Sequence, residues 1–497
     1  MTAPTIVHQL AEFTVAARRP GGVGTALRAD AARRLLDVLG NSLAAQSTPA
    51  AAAMRAVVTE WGGRPMSTAL GLADRVPTAS AALLGGTLAH AMDFDDTHLP
   101  SVLHPSATVV PAALAVAEAV GASGGALLDA IAVGVEITVR VGMAGYDERL
   151  GNSVFFERGL HATAICGALG GAAAAALLAG LDAPRVAHAL GIAASMGSGL
   201  LEANRTGGTV KRIHCGWAAH AAVTAAELAR HGLTGPPTVI EGRFGLLQAF
   251  CGDQARAESV TEGLGTEWEL PGVFFKPYPC NHFTHAGIDA ALRLRARGVT
   301  AEQVERLTLG APTPVLRTIG EPAADKRAPE SGYHAAFSGP YTVAAALIGG
   351  GGLGLFHEDF TDAAARDPHR LALAAKVDCV PDPHCDSIFP HQFPAVLTAE
   401  LRDGRVLTER VDVNRGGPGN PLSATELATK FRLNAARSLS ADDAEAIARV
   451  VYDTADVKDL RELLDPLRGA IEQHGSTEPR RPPALEAKRG KGYSRGS

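Results

Sequence analysis

The stretch Ala162-Thr-Ala-Ile-Cys-Gly-Ala-Leu-Gly-Gly-Ala-Ala-Ala-Ala-Ala-Leu-Leu-Ala-Gly-Leu181 decides the fold. It runs for 20 residues without a charge. By length alone such a segment could cross a bilayer. Its composition argues otherwise, because Ala and Gly dominate and the large apolar side chains a lipid-facing helix carries are few. Small residues let neighbouring helices approach closely. The segment therefore predicts a helix buried on every side within a soluble bundle.

Working outward, the same Ala/Leu-rich helical pattern recurs on both sides, broken by Gly or Pro. Helices are expected over Arg28–Ala45, Ala50–Trp61, Thr78–Met92, Ala107–Val120, Ala126–Met143, Pro184–Leu200, Cys215–Arg230 and Arg243–Phe250. Pro184 suits a first turn, where its missing N–H costs nothing. Residues 1–270 thus read as the first part of a large all-helical domain.

The pattern changes near Pro271. Ala395–Arg402 and Val406–Val413 alternate and flank Asp403-Gly404, a hairpin signature. Arg306–Leu309 and Lys376–Val380 are weaker strand signals. Thr300-Ala-Glu-Gln303 has the form of a capping box and predicts a short helix. Gly349-Gly-Gly-Gly-Leu-Gly354 lacks the Lys-Ser/Thr of a phosphate loop and reads as a helix end. Residues 271–417 form a smaller α+β domain in this reading. The breaker cluster Asn414–Pro421 marks its exit, and the capping box Ser423-Ala-Thr-Glu426 opens a helical return over 418–475. Residues 476–497 read as a basic, disordered tail. The fold class expected is mainly α, with a large helical domain and an α+β lid.

Bulk properties exclude several functions. The 497 residues are 46% hydrophobic and 20% charged, as in a soluble globular protein, and the net charge of −6 offers no footprint for nucleic acid. No membrane partner is expected. The six cysteines show no CxxC pair, which fits a reducing cytoplasm.

Chemistry concentrates in His90-Ala-Met-Asp93-Phe-Asp95-Asp96-Thr97-His98 and His104-Pro105-Ser106, where three carboxylates and three imidazoles fall within fifteen positions. Apolar flanks can bury such a cluster only if it is paired, hydrogen-bonded or functional. Carboxylates and imidazoles in a partly buried cleft can have their pKa values shifted by their surroundings, which suits acid–base catalysis. A divalent metal site and a plain capped helix end are the competing readings, though no HExxH-type spacing supports a metal. His161 opens the Ala-rich helix, whose dipole favours a neutral imidazole. Lys211-Arg212-Ile-His214 opens another helix and resembles a carboxylate receptor, against an ordinary solvated turn. Lys276-Pro-Tyr-Pro-Cys-Asn281-His282-Phe-Thr-His285 combines a cation and two imidazoles with a stiff path that would also serve as a linker.

These segments together resemble the MmgE/PrpD family, which includes 2-methylcitrate dehydratase, cis-aconitate decarboxylase and iminodisuccinate epimerase. The matching elements also include Glu157-Arg-Gly-Leu-His161, Val210–Ala219, His231-Gly-Leu-Thr-Gly235, Phe337-Ser-Gly-Pro-Tyr341, Asn420-Pro-Leu-Ser423 and Lys430-Phe431, in family order. The resemblance implies a homodimer with no metal and no organic cofactor, and an active site between the helical domain and the lid. It places Asp93, Thr97, His104, His161 and Lys211 in that site, with Lys276 at the lid entrance. Asp93, His104, His161 and Lys211 are the expected catalytic residues. Thr97, Arg212, His214, Lys276 and either Asn281 or His282 are expected to bind substrate. A decarboxylase-branch histidine falls on Asn281, with His282 one residue away.

Two departures concern the substrate. The decarboxylase-like tyrosine expected near 315–320 is absent from Val315-Leu-Arg-Thr-Ile319, and Ala336 stands where many members carry a basic residue. The resemblance therefore implies a lyase, first a hydro-lyase of the 2-methylcitrate dehydratase type, acting on a small di- or tricarboxylate. Epimerisation, decarboxylation and non-catalytic carboxylate binding are the alternatives.

Overall fold

The computed structural model describes residues 4–474, so the basic tail lies outside the described residues. Helix Ala162–Leu178 is the hub of the helical part. Every residue from Ala162 to Leu177 is buried. It packs against helices Ser106–Val120, Gly124–Met143, Ala183–Ala194 and His214–Arg230. Its small residues are what allow this. A Cβ on Gly170 would lie 1.9 Å from Thr138 Oγ1, and one on Gly171 would lie 2.8 Å from the Ala222 Cβ. The crossing helices sit where larger side chains would stand. No helix among the described residues is long and apolar enough to cross a membrane.

The chain closes this core from its far end. Helices Ala424–Ala435 and Ala441–Tyr452 pack on Thr25–Ala44, and one hydrophobic core contains residues from both ends of the chain. The capping box at Ser423 forms as read: its hydroxyl accepts from Glu426 N–H, and the Glu426 carboxylate accepts from Ser423 N–H at 2.7 Å.

A second core forms around a four-stranded sheet. Its strands are β1 (Val304–Ala311), β2 (Val377–Pro381), β3 (Ala395–Leu401) and β4 (Val406–Val411), in the order β2-β1-β3-β4. β1 pairs with β2 in parallel and with β3 antiparallel, and β3 and β4 form the antiparallel hairpin. The strand β3 alternates strictly, with Ala395, Leu397, Ala399 and Leu401 buried. Helices His285–Ala296 and Gly339–Ile348 contribute to the same core.

Three sequence expectations need correction. Thr300–Gln303 opens no helix. Gln303 Oε1 does accept from Thr300 N–H at 3.1 Å, but the chain then enters β1. Pairing on both sides of Val304–Ala311 outweighs the local cap signal. The helix expected to reach Leu200 ends at Ala194, because the chain turns back so that Gly199 C=O accepts from His161 N–H at 3.0 Å. The helix expected from Arg243 begins only at Leu246, after Gly245.

Two crossover segments join the parts side by side. Phe275 N–H donates to Gly416 C=O at 3.0 Å, and Gly416 has φ +111°. A Cβ there would lie 1.9 Å from the Phe275 oxygen, so this approach needs glycine. Arg34 covers the Phe275 ring at 3.9 Å and donates to Val273 C=O at 2.7 Å. The entry into the sheet-bearing part is thereby pinned beside the Asp-rich loop.

Candidate active site

Helix Thr78–His90 ends where the acidic loop begins, and the loop ends at Pro105, which precedes helix Ser106–Val120. The three carboxylates between them do different work. Asp96 is structural: it accepts from Ser106 N–H (3.2 Å) and Oγ (2.5 Å), and it pairs with buried Arg34 at 3.2 Å. The capped-helix reading does not hold, because Pro105 is the N-cap residue and His90 and His98 are buried. Asp95 accepts from His90 Nδ1 at 2.7 Å and so fixes that ring. Burial alone would raise Asp95, but His90 and His104 bring it down to about 2.

Asp93 faces two cations. Its Oδ1 lies 3.3 Å from Lys211 Nζ and 3.5 Å from Lys276 Nζ. Burial opposes its charge, yet Lys211 and Lys276 hold the carboxyl well below the usual range. Burial likewise works against the Lys211 cation, and Asp93 together with Tyr333, Asp95 and Cys215 outweighs it, so the ammonium is raised. Lys276 also donates to Asp93 C=O at 2.7 Å. Asp93 has φ +52°, a left-handed conformation that Asp tolerates better than most residues. Thr97 joins the loop to the crossover through paired backbone hydrogen bonds with Phe274, of 2.9 and 2.8 Å.

The imidazoles gather around this group. His90 lies 5.2 Å from His104 and 5.4 Å from His161, and His161 lies 5.1 Å from His214, ring centre to ring centre. His104 Nδ1 donates to Asp96 C=O at 2.7 Å, with Thr97 Oγ1 at 3.3 Å. A carbonyl can only accept, so Nδ1 carries the proton and Nε2 keeps its lone pair. Burial lowers His104 to about 3 and His161 well below its ordinary value, so both are neutral near pH 7. His161 is the N-cap residue of its helix, and its buried Nε2 has no hydrogen-bond partner among the described residues.

The structure separates Asn281 from His282. Asn281 Oδ1 caps the next turn by accepting from Phe283 N–H at 3.1 Å. His282 is buried, accepts from Asn414 Nδ2 at 2.9 Å, and leaves Nδ1 unpartnered. Burial lowers His282, and Lys276 and His104 are close enough to add to that. The Arg212 guanidinium lies 6.0 Å from the Tyr333 ring centre and, among the described residues, forms no salt bridge with the acidic loop. The sequence reading placed His90 and Asp95 in the motif without listing them among the expected site residues, and it did not single out Arg34. Tyr333 was missed as well; it feels the Lys211 and Asp93 charges, and no local pattern marks it.

Among the described residues, His90, Asp95 and Cys215 bring possible metal-ligand atoms within 4.8 Å of one another. Asp95 already accepts from His90, and burial pushes the Cys215 thiol well above its ordinary value. A thiol must ionise to ligate, so this set fits a metal poorly.

A helical bundle carrying a sheet-based second part, with a buried Asp/His/Lys group beside their crossover, defines the class. The MmgE/PrpD N-terminal domain matches residues 8–258 and the MmgE/PrpD C-terminal domain residues 278–455. The chain belongs to the MmgE/PrpD family. It is 30% identical over 442 residues to the cis-aconitate decarboxylase of Homo sapiens, covering 88% of this chain and 89% of that protein. The Mus musculus cis-aconitate decarboxylase is also 30% identical, over 455 residues and 88% of each chain. The cis-aconitate decarboxylase-like protein oryM of Aspergillus oryzae is 27% identical over 88% of this chain and 92% of its own length.

Proposed function

We propose that this chain is a cofactor-independent lyase for a small di- or tricarboxylate, working by proton transfer at a carbon next to a carboxylate. The observation that carries this is the pairing of Asp93 with Lys211 and Lys276 beside a neutral His104 with a free Nε2. The family membership and the decarboxylase relatives support the lyase class.

Removing such a proton builds negative charge on the neighbouring carboxylate. Each ammonium has three donors, so Lys211 and Lys276 can hold a substrate carboxylate as well as Asp93. His104 Nε2 accepts the proton. In a dehydration, the C–H electron pair becomes the new C=C bond and the C–OH bond breaks. The hydroxyl leaves as water, protonated by His161. His214 and His282 bind the remaining carboxylates from the two sides, and residues 271–417 act as the lid that excludes water.

Dehydration is the finer reading because Val315, Leu316 and Ile319 pack into a small apolar cluster, with no phenol at that position. Decarboxylation is the second reading, favoured by the relatives. Proton NMR in D2O with 2-methylcitrate, citrate, cis-aconitate and iminodisuccinate separates them. Alkene formation assigns a hydro-lyase, a decarboxylated product a decarboxylase, and deuterium uptake with inversion an epimerase. Folded protein that changes none of them overturns the lyase reading. Activity lost to a chelator and restored by Zn or Mn overturns the cofactor-free part. We further propose a cytoplasmic homodimer, which light scattering in solution tests; the six free cysteines suit a reducing compartment.

A further inference from the structure

Behind the acidic loop lies a second buried polar group that the proposed chemistry does not use. The Phe94 carbonyl accepts from Lys430 Nζ at 2.9 Å and from Asn41 Nδ2 at 3.2 Å. These donors come from the two ends of the chain, one from helix Ala424–Ala435 and one from helix Thr25–Ala44. Lys430 also pairs with Asp37 at 2.6 Å and lies 3.8 Å from the centre of the Phe94 ring. Phe94, Asn41, Asn434, Lys430 and Asp37 are all at most 3% exposed.

The contacts continue to the sheet-bearing part. Asn41 Oδ1 accepts from Asn434 Nδ2 at 3.1 Å, and Asn434 Oδ1 lies 2.8 Å from His357 Nε2. His357 and Phe356 also meet the Phe94 ring edge-on, at 5.4 and 6.0 Å between ring centres. The residue so gripped immediately follows Asp93, whose backbone is left-handed. A left-handed non-glycine residue persists where its surroundings over-determine it. Lys276 holds the Asp93 carbonyl from one side, and Lys430 with Asn41 holds the next carbonyl from the other.

We propose that Lys430 and Asn41 are positioning residues that clamp the Phe94 carbonyl, keep Asp93 aimed at Lys211 and Lys276, and connect this loop to the lid through Asn434 and His357. The use to which the aimed carboxylate is put rests on the lyase reading. The clamp itself does not, because it can be read from backbone exchange.

The test is hydrogen–deuterium exchange of the full-length protein, combined with steady-state kinetics. The Asp37→Leu/Lys430→Met double variant removes the buried charges together, so neither is left unpaired. Exchange across residues 92–96 should rise about tenfold or more, while helix Ala162–Leu178 keeps its protection. The KM should rise about tenfold or more with kcat falling less, because the displaced Asp93 orients the two lysines that hold the substrate carboxylate. The Asp37→Asn/Lys430→Gln variant keeps an N–H donor for the Phe94 carbonyl and should recover most of the protection. If the Leu/Met variant does not fold, Asn41→Ala removes one donor alone and should still raise exchange at 92–96. Wild-type exchange at 92–96 in folded Leu/Met or Asn41→Ala protein overturns the proposal. A wild-type protein inactive on every carboxylate would sink the lyase reading, and the exchange result would still judge the clamp.

Discussion

His161 and His214, 53 residues apart in the chain, place their Nδ1 atoms 3.0 Å from each other. Two lone pairs would repel at that distance, so one nitrogen donates and the other accepts. Burial keeps both rings neutral near pH 7, lowering His214 to about 4 and His161 well below its ordinary value. The pair therefore shares one proton. If His161 accepts at Nδ1, its Nε2 carries a hydrogen and can act as an acid. If it donates, Nε2 is a base. Truncating His161 to Ala should lower kcat about 100- to 10,000-fold. His214→Ala should cost less in kcat, since it removes the partner that sets the tautomer and a carboxylate-binding ring but leaves His161 itself in place. Equal rates for His161→Ala and the parent would take His161 out of the reaction.

His104 is the better-defined base because its tautomer is fixed by the Asp96 carbonyl. His104→Asn can keep an N–H donor for that carbonyl while losing the ring lone pair. We expect a kcat loss of about 100-fold or more, with the fold intact. Rapid-quench or NMR rates, together with circular dichroism, check both halves.

Lys211→Ala should act mainly on binding. Losing a hydrogen bond to a charged group costs about 1.5–3 kcal/mol, or roughly a 10- to 150-fold rise in KM. The variant also strips Asp93 of one of its two cations, so the Asp93 carboxyl should titrate higher. Unchanged KM and kcat would remove Lys211 from the site.

Acid should destabilise this protein early. His98, His214 and His357 are lowered to about 4, and His104 and His285 to about 3, chiefly by burial. A lowered imidazole binds fewer protons folded than unfolded, so its contribution is complete above the unfolded value near 6.5 and is lost as the pH falls towards 3–4. Asp95, lowered to about 2, adds a loss that begins below its ordinary 3.8. Asp96, raised to about 6 by burial, acts oppositely: its contribution exists below 3.8 and disappears as the pH rises through 6. Asp37, Glu136 and Asp289 are also raised by burial, but His161, His220 and His282 are also lowered, so with eight imidazoles against four carboxyls the urea midpoint should drop between pH 6.5 and 4. A flat profile over that range would contradict the burial of these rings.

The hub helix is predicted to reject even one methyl group. Gly170→Ala places a carbon against Thr138 Oγ1 and the Gly134 carbonyl. Overpacking of this kind costs about 1–3 kcal/mol, readable as a lower urea midpoint. Gly180→Ala makes no such collision, but Gly180 has φ +73°, so its penalty is backbone strain instead.

Much of the candidate site was legible because its residues cluster locally. Asp93, Thr97 and His104 lie within twelve positions, and His161 and Lys211 each announce a helix start. The division of labour among Asp93, Asp95 and Asp96 was not legible. It depends on Arg34, Lys211 and Lys276, which arrive from distant segments. The different surroundings of Asn281 and His282 were not legible either: the local turn engages Asn281 Oδ1, while His282 is buried.

The sequence by itself determined the buried helical bundle, the hairpin Ala395–Val411 and the family, because small-residue helices, alternation and ordered motifs are local patterns. It misread Thr300–Gln303, where a cap signal met a strand that only long-range pairing could create. Tertiary structure alone decided which ionisable groups face one another. Lys430 reaches Phe94 across 336 residues, and His161 reaches His214 across 53. Charge and tautomer at a buried site depend on distances of a few ångströms, and only the folded chain brings such separated residues that close.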